Sequence, residues 1–190
     1  MNPIFIALVF LSIASCAIFA PEEPVIELLN EHKIATSSGS VQGQFVEYSK
    51  DSSPASNVVS WLDIPYAQPP VGDLRWRAPR ALQAPEAVIE TKGNVVCVQP
   101  AGDYGGASAE NGESVVGSED CLYLDISAPE DFASNSYPVM FWIHGGGNTT
   151  GTKNYYDFRK LVESQKVVVV TINYRLGALG WFTHPAIQNM

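Results

Sequence analysis

Between Tyr137 and Gly151 the sequence reads YPVMFWIHGGGNTTG, an apolar run that ends in a histidine and three consecutive glycines. Apolar character on both faces predicts a central strand of a sheet. Each glycine loses more backbone freedom on folding than any other residue, so three in a row need a physical reason. In open parallel sheets, ligands sit at the carboxyl ends of strands. Side chains at that point would keep a ligand away from the backbone N–H groups. Bare glycines let two or three N–H donors converge on one anionic oxygen, which is the specification of an oxyanion hole. A phosphate loop does not fit, because GGGNTTG carries neither the Lys-Ser/Thr of a P-loop nor a G-x-G-x-x-G opening a helix. On the glycines alone, a plain flexible strand-to-loop turn is the alternative.

The elements around this loop predict an α/β class. CLYLDISAP, from Cys121, sets Leu122, Leu124 and Ile126 on one face and Tyr123, Asp125 and Ser127 on the other, a strand. After the glycines, YYDFRKLVESQ places Phe158, Leu161 and Val162 at helical spacing, with Asp157 early and Lys166 late. KVVVVTINYRLG then reads as a second fully buried strand. Strand, glycine loop, helix and strand make a βαβ unit with a parallel crossover. Upstream, GSVQGQFVEYS (from Gly39) and NVVSWLDIPYA (Asn57 to Ala67) predict an antiparallel hairpin across a polar turn. QPPVGDLRWRAPR is too proline-rich for a helix or inner strand and predicts an ordered surface segment. The sum is a set of antiparallel strands leading into a mixed, mainly parallel sheet with helices on its faces.

The 190 residues suffice for one domain with a real core, and a net charge of -9 leaves no basic stripe for nucleic acid. Residues 1–20, MNPIFIALVFLSIASCAIFA, read as a secretory signal too short to be a membrane span, although no Lys or Arg precedes the apolar run. IASC, ending at Cys16, resembles a bacterial lipobox. Lipidation at Cys16 and simple cleavage near Ala17 to Ala20 are both open, and the bland alternative is a small buried cysteine in an apolar segment. Export would be to the periplasm or the exterior, with membrane contact only through such a lipid anchor. Residues 21–38 read as a lead-in. Once Cys16 is removed or lipidated, Cys97 and Cys121 remain as a pair that could close a loop of about 25 residues; the alternative is two unrelated buried thiols.

HGGG after a buried strand is the pattern of lipases and esterases of the α/β-hydrolase fold. With IPYAQPPVGDLRWRAP, SEDCLYLDISAP, FWIHGGGNTTG and VVVVTINYRLGALGWF in this order, the chain resembles the type-B carboxylesterase family, which includes the cholinesterases and their adhesion relatives. The resemblance runs from Gly39 to His184. It implies the N-terminal part of an α/β-hydrolase domain over residues 39–190. It implies that Gly146 and Gly147 supply two N–H donors of the oxyanion hole. It implies a Cys97–Cys121 disulfide and a structural ion pair between Arg75 and Glu119. His144 would shape the loop rather than act as the base; His32 and His184 read as structural or solvated positions. A small-molecule carboxylic ester is the implied substrate, with no cofactor and no metal. The family's cholinesterases place a choline-binding tryptophan inside the first disulfide loop, where this chain has only Tyr104 as an aromatic residue. A general carboxylesterase is therefore favoured.

Family catalysis needs a serine on a G-x-S-x-G elbow, then an acid, then a histidine. No such elbow occurs in these 190 residues; Ser108 and Ser114 lack the spacing. The expectation is that nucleophile, acid and base lie beyond Met190, and that residues 1–190 alone neither hydrolyse esters nor stay soluble, with the VVVVTINY strand exposing an apolar edge. A catalytically inactive cholinesterase-like binding or adhesion protein, or a truncated gene product, is the alternative. Asn148–Thr150 forms an N-glycosylation sequon that reads as incidental.

Overall fold

The computed structural model describes residues 32–45, 57–84, 87–109 and 111–188. The signal segment with Cys16, most of the lead-in and the polar turn at 46–56 lie outside the described residues. In chain order the elements are β1 (Lys33–Thr36), β2 (Gly39–Gln42), β3 (Val58–Pro65), β4 (Val88–Ile89), β5 (Gln99–Pro100), β6 (Val115–Val116), β7 (Tyr123–Pro129), β8 (Val139–Ile143), α1 (Arg159–Gln165), β9 (Val168–Ile172), α2 (Gly177–Trp181) and α3 (Pro185–Gln188). The main sheet has the order β3-β7-β9-β8. β7 is antiparallel to both β3 and β9, and β8 runs parallel to β9 across α1. This is the mixed α/β sheet that the sequence predicts.

The predicted hairpin is corrected. β2 pairs with β1 and β4, while β3 pairs with β7 along its length. Among the described residues a single bridge, Gln44 with Ser60, joins the two predicted partners. Alternation shows that a strand is half-buried but does not name its neighbour. The eight residues of β3 find in the seven of β7 a partner of matching length. β1 itself falls in the segment read as a lead-in.

β8 is not central among the described residues. It occupies the edge of the sheet, with Val139 66% and Ile143 61% exposed, and the exposed edge expected of the VVVVTINY strand is its own. β9 lies between β7 and β8 and alternates instead of being buried throughout: Val169 and Thr171 are buried, Val168, Val170 and Ile172 half-buried. Apolar residues on both faces measure how much a strand can bury, not what covers it.

The predicted helix forms, but only from Arg159, because Asp157 turns back to accept the Arg159 backbone N–H at 3.0 Å and its Nε at 2.8 Å. Val162 carries the helix onto the sheet beside Val58, Val167 and Val169, with Phe158 and Leu161 packed against them. Lys166 ends it with φ 52, a left-handed stop. A second cluster joins the disulfide to the sheet through Ala67, Leu122 and Leu176. The Pro-rich segment is a surface run with one short turn at Gly72–Leu74.

Candidate active site

β8 delivers the chain into the glycine run at its carboxyl end. Gly146 has φ 107 and Gly147 φ 61, backbone that L side chains rarely adopt. A Cβ on Gly146 would lie 2.0 Å from the Thr150 carbonyl oxygen. The Gly146 carbonyl is turned into the loop, where it accepts the N–H groups of Thr149 and Thr150, each at 3.1 Å, and the Thr149 hydroxyl at 3.0 Å. Among the described residues, the N–H groups of Gly145, Gly146 and Gly147 donate to no protein acceptor. A cavity of about 230 Å³ opens beside the loop, lined by Tyr104, Trp142, His144, Gly145, Gly146 and Tyr156 among others.

His144 is 4% exposed. Its Nδ1–H donates to the Gly145 carbonyl at 2.8 Å, which leaves Nε2 as the bare nitrogen. Its ring stacks on Tyr174 at 4.3 Å, and the Tyr174 hydroxyl donates to the His144 carbonyl at 2.6 Å. Burial pushes the His144 pKa below its ordinary value, against the opposing effect of the bond to Gly145. The unfolded chain therefore binds the proton more readily than the fold does. Stability contributed here is complete above the ordinary histidine range and is lost as pH falls below about 6.5. Replacing His144 with Phe should flatten the acid limb of the stability curve below about pH 6.5, read as urea midpoints against pH. An unchanged slope would show that His144 does not set it.

The far limb of the loop is tied by a group that sequence reading missed. Lys153 is 1% exposed. Its Nζ lies 2.9 Å from Asp63 Oδ1, and 2.8 and 2.6 Å from the two Asp125 oxygens. Between Trp61 and Ile64 the β3–β7 register slips, so that Leu62 and Asp63 face the single residue Asp125. This bulge, with Asp63 at φ 56, aims the Asp63 carboxylate inward, where its Oδ2 also accepts the N–H groups of Lys92 and Gly93 at 2.7 and 2.9 Å. Burial raises the Asp125 pKa, and Lys153 opposes that rise. No spacing in the sequence links residues 63, 125 and 153; the contact exists only in three dimensions.

Cys97 and Cys121 form a disulfide with their Cα atoms 5.0 Å apart. A loop of this size stabilises by about 3 kcal/mol, chiefly by restricting the unfolded chain. Arg75 grips Glu119 with Nε at 2.6 Å and Nη2 at 2.5 Å, side chains 40% and 23% exposed. That arginine holds the Glu119 carboxyl below the usual range. His32 is buried with its ring edge-on to Phe45, and its carbonyl accepts the Trp61 indole N–H at 2.7 Å. His184 is exposed and accepts the Ala186 N–H at 3.2 Å. Ser108 is exposed beside Asp103. Asn148 is exposed with φ 61, and its carbonyl accepts the Gly177 N–H at 2.7 Å. Among the described residues no His, Cys, Asp or Glu cluster could hold a metal ion, and no helix is long and apolar enough to cross a membrane.

Comparison with known proteins places this strand-end glycine loop in a family. The chain belongs to the carboxylesterase family, whose model matches residues 30–188. It is 39% identical over 170 residues to a fumonisin B1 esterase of Sphingopyxis macrogoltabida, covering 87% of this chain and 28% of that protein. It is 36% identical over 188 residues to liver carboxylesterase 1F of Rattus norvegicus, covering 93% and 31%. Among solved structures, a thermophilic PNB esterase superposes with a TM-score of 0.66 at 37% identity, covering 82% of this chain and 30% of that one. The fold is thus part of an α/β-hydrolase, and the chain spans under a third of the length of the curated relatives it matches.

Proposed function

We propose that these residues are the N-terminal part of an exported serine carboxylic ester hydrolase, in which Gly146 and Gly147 hold the oxyanion. The observation that carries this reading is the pair of positive-φ glycines whose N–H groups are uncommitted at the end of β8. In the complete enzyme a serine from outside these 190 residues attacks the ester carbonyl. The tetrahedral oxyanion rests on the two N–H groups, the alcohol leaves, and water hydrolyses the acyl-enzyme. Binding and charge stabilisation need no cofactor in this scheme. The substrate is a small-molecule carboxylic ester. The absence of a tryptophan between Cys97 and Cys121 favours general esters over choline esters. The disulfide supports export, because such bonds persist in oxidising compartments. Residues 1–190 alone hold part of the oxyanion hole and no nucleophile elbow, so this segment by itself is inert toward esters.

The test reads the gene past the Met190 codon and assays its complete product with 4-nitrophenyl acetate and butyrate. Turnover that an organophosphate abolishes is the expected result. A folded product without turnover, or an elbow without serine, overturns the enzyme reading and leaves a binding or adhesion protein of the same family.

A further inference from the structure

The oxyanion loop touches the disulfide loop through one side chain. Gln99, in β5, is 2% exposed. Its Oε1 accepts the Gly151 N–H at 2.8 Å, and its Nε2 donates to the Gly151 carbonyl at 2.9 Å and to the Cys97 carbonyl at 3.1 Å. A carboxamide here satisfies both backbone polar groups of one residue, as a strand partner would.

Gly151 in turn is packed against the start of the glycine run. A Cβ on it would lie 2.1 Å from His144 Nδ1 and 2.7 Å from the Gly145 carbonyl oxygen. Its neighbour Thr150 donates its N–H to the Gly146 carbonyl at 3.1 Å. The Thr150 carbonyl is the atom against which Gly146 has room only for hydrogen. On the other side Gly105, also in the disulfide loop, closes on Thr150 and on Gln99 Oε1, with a Cβ there meeting them at 2.9 and 3.0 Å. A continuous set of contacts therefore runs from Cys97 through Gln99 and Gly151 to Gly146.

We propose that Gln99 is a positioning residue for the oxyanion loop: by fixing both polar ends of Gly151 it sets the direction in which the Gly146 and Gly147 N–H groups point. This rests on the esterase reading above. Gln99 touches no reacting atom, and its influence falls on the developing oxyanion rather than on the bound ester. Its loss lowers kcat and spares KM.

The experiment compares Gln99→Met and Gln99→Asn with wild type in the complete gene product. Met keeps the volume and removes all three hydrogen bonds. Asn keeps a buried carboxamide that is one methylene too short. With 4-nitrophenyl butyrate, kcat is expected to fall about tenfold to 100-fold, with KM within about twofold. Affinity for phenylboronic acid, whose serine adduct mimics the tetrahedral state, should fall in parallel. Hydrogen exchange followed by mass spectrometry should speed up in the peptide covering 142–152. A folded Gln99→Asn protein with wild-type kcat, boronate affinity and exchange overturns the proposal, as does a rise in KM at constant kcat. A wild-type protein without turnover refutes the esterase reading instead, and exchange at 142–152 then still decides whether Gln99 holds the loop.

Discussion

Gly146→Ala in the complete gene product is expected to lower kcat/KM by at least about 10²–10³-fold, the scale of losing one oxyanion donor. The new Cβ would lie 2.0 Å from the Thr150 carbonyl oxygen, and the backbone there has φ 107. The loop has to move, and the N–H proposed to hold the oxyanion moves with it. Gly145→Ala is the control, since a Cβ there meets nothing within 4 Å and Gly145 is not among the positive-φ residues. Its thermal midpoint should match wild type, while that of Gly146→Ala should drop. Steady-state kinetics and thermal unfolding on both variants decide the matter. Wild-type turnover in a folded Gly146→Ala protein would remove this residue from the hole.

Lys153→Met is expected to destabilise the fold by about 3–5 kcal/mol. It strands two buried carboxylates, Asp63 at 1% and Asp125 at 8% exposure, without their cation. The penalty depends on the ionisation of Asp125. Burial already raises the Asp125 pKa with Lys153 opposing it, so losing the lysine raises it further. A carboxyl whose folded pKa lies above its unfolded one costs stability as pH rises through that interval. The deficit of Lys153→Met should therefore be larger at about pH 8 than at about pH 5. Urea unfolding at the two pH values measures it. Adding Asp63→Asn and Asp125→Asn should recover a large part, because neutral groups cost less to bury than unpaired charges. A deficit that does not change with pH would mean that lost packing, not charge, is the cause.

Both predictions concern the same short stretch, Gly145 to Lys153, which several contacts tie to its surroundings. His144 anchors its start by stacking on Tyr174, Gln99 holds Gly151, and Lys153 is pinned between β3 and β7. In the proposed esterase, such ties would keep the hydrogen-bond donors aimed before substrate arrives, which is the condition for electrostatic stabilisation without reorganisation.

Much of this was legible in the amino-acid order. The apolar run into HGGG determined a strand that ends in a bare backbone, because glycine reaches a φ such as the 107 of Gly146 at low cost. Local spacing determined β7 by alternation and α1 by Phe158, Leu161 and Val162. The four motif blocks determined the family. Tertiary structure decided the rest. It chose β7 as the partner of β3, placed β9 between β7 and β8, and brought Asp63, Asp125 and Lys153 together. It also laid Gln99 against Gly151. The physical reason is range. Conformational preference and periodicity act within a few residues, so they appear in the string of letters. Strand partnership and buried ion pairs join residues tens of positions apart, and are settled only when the whole sheet closes around them.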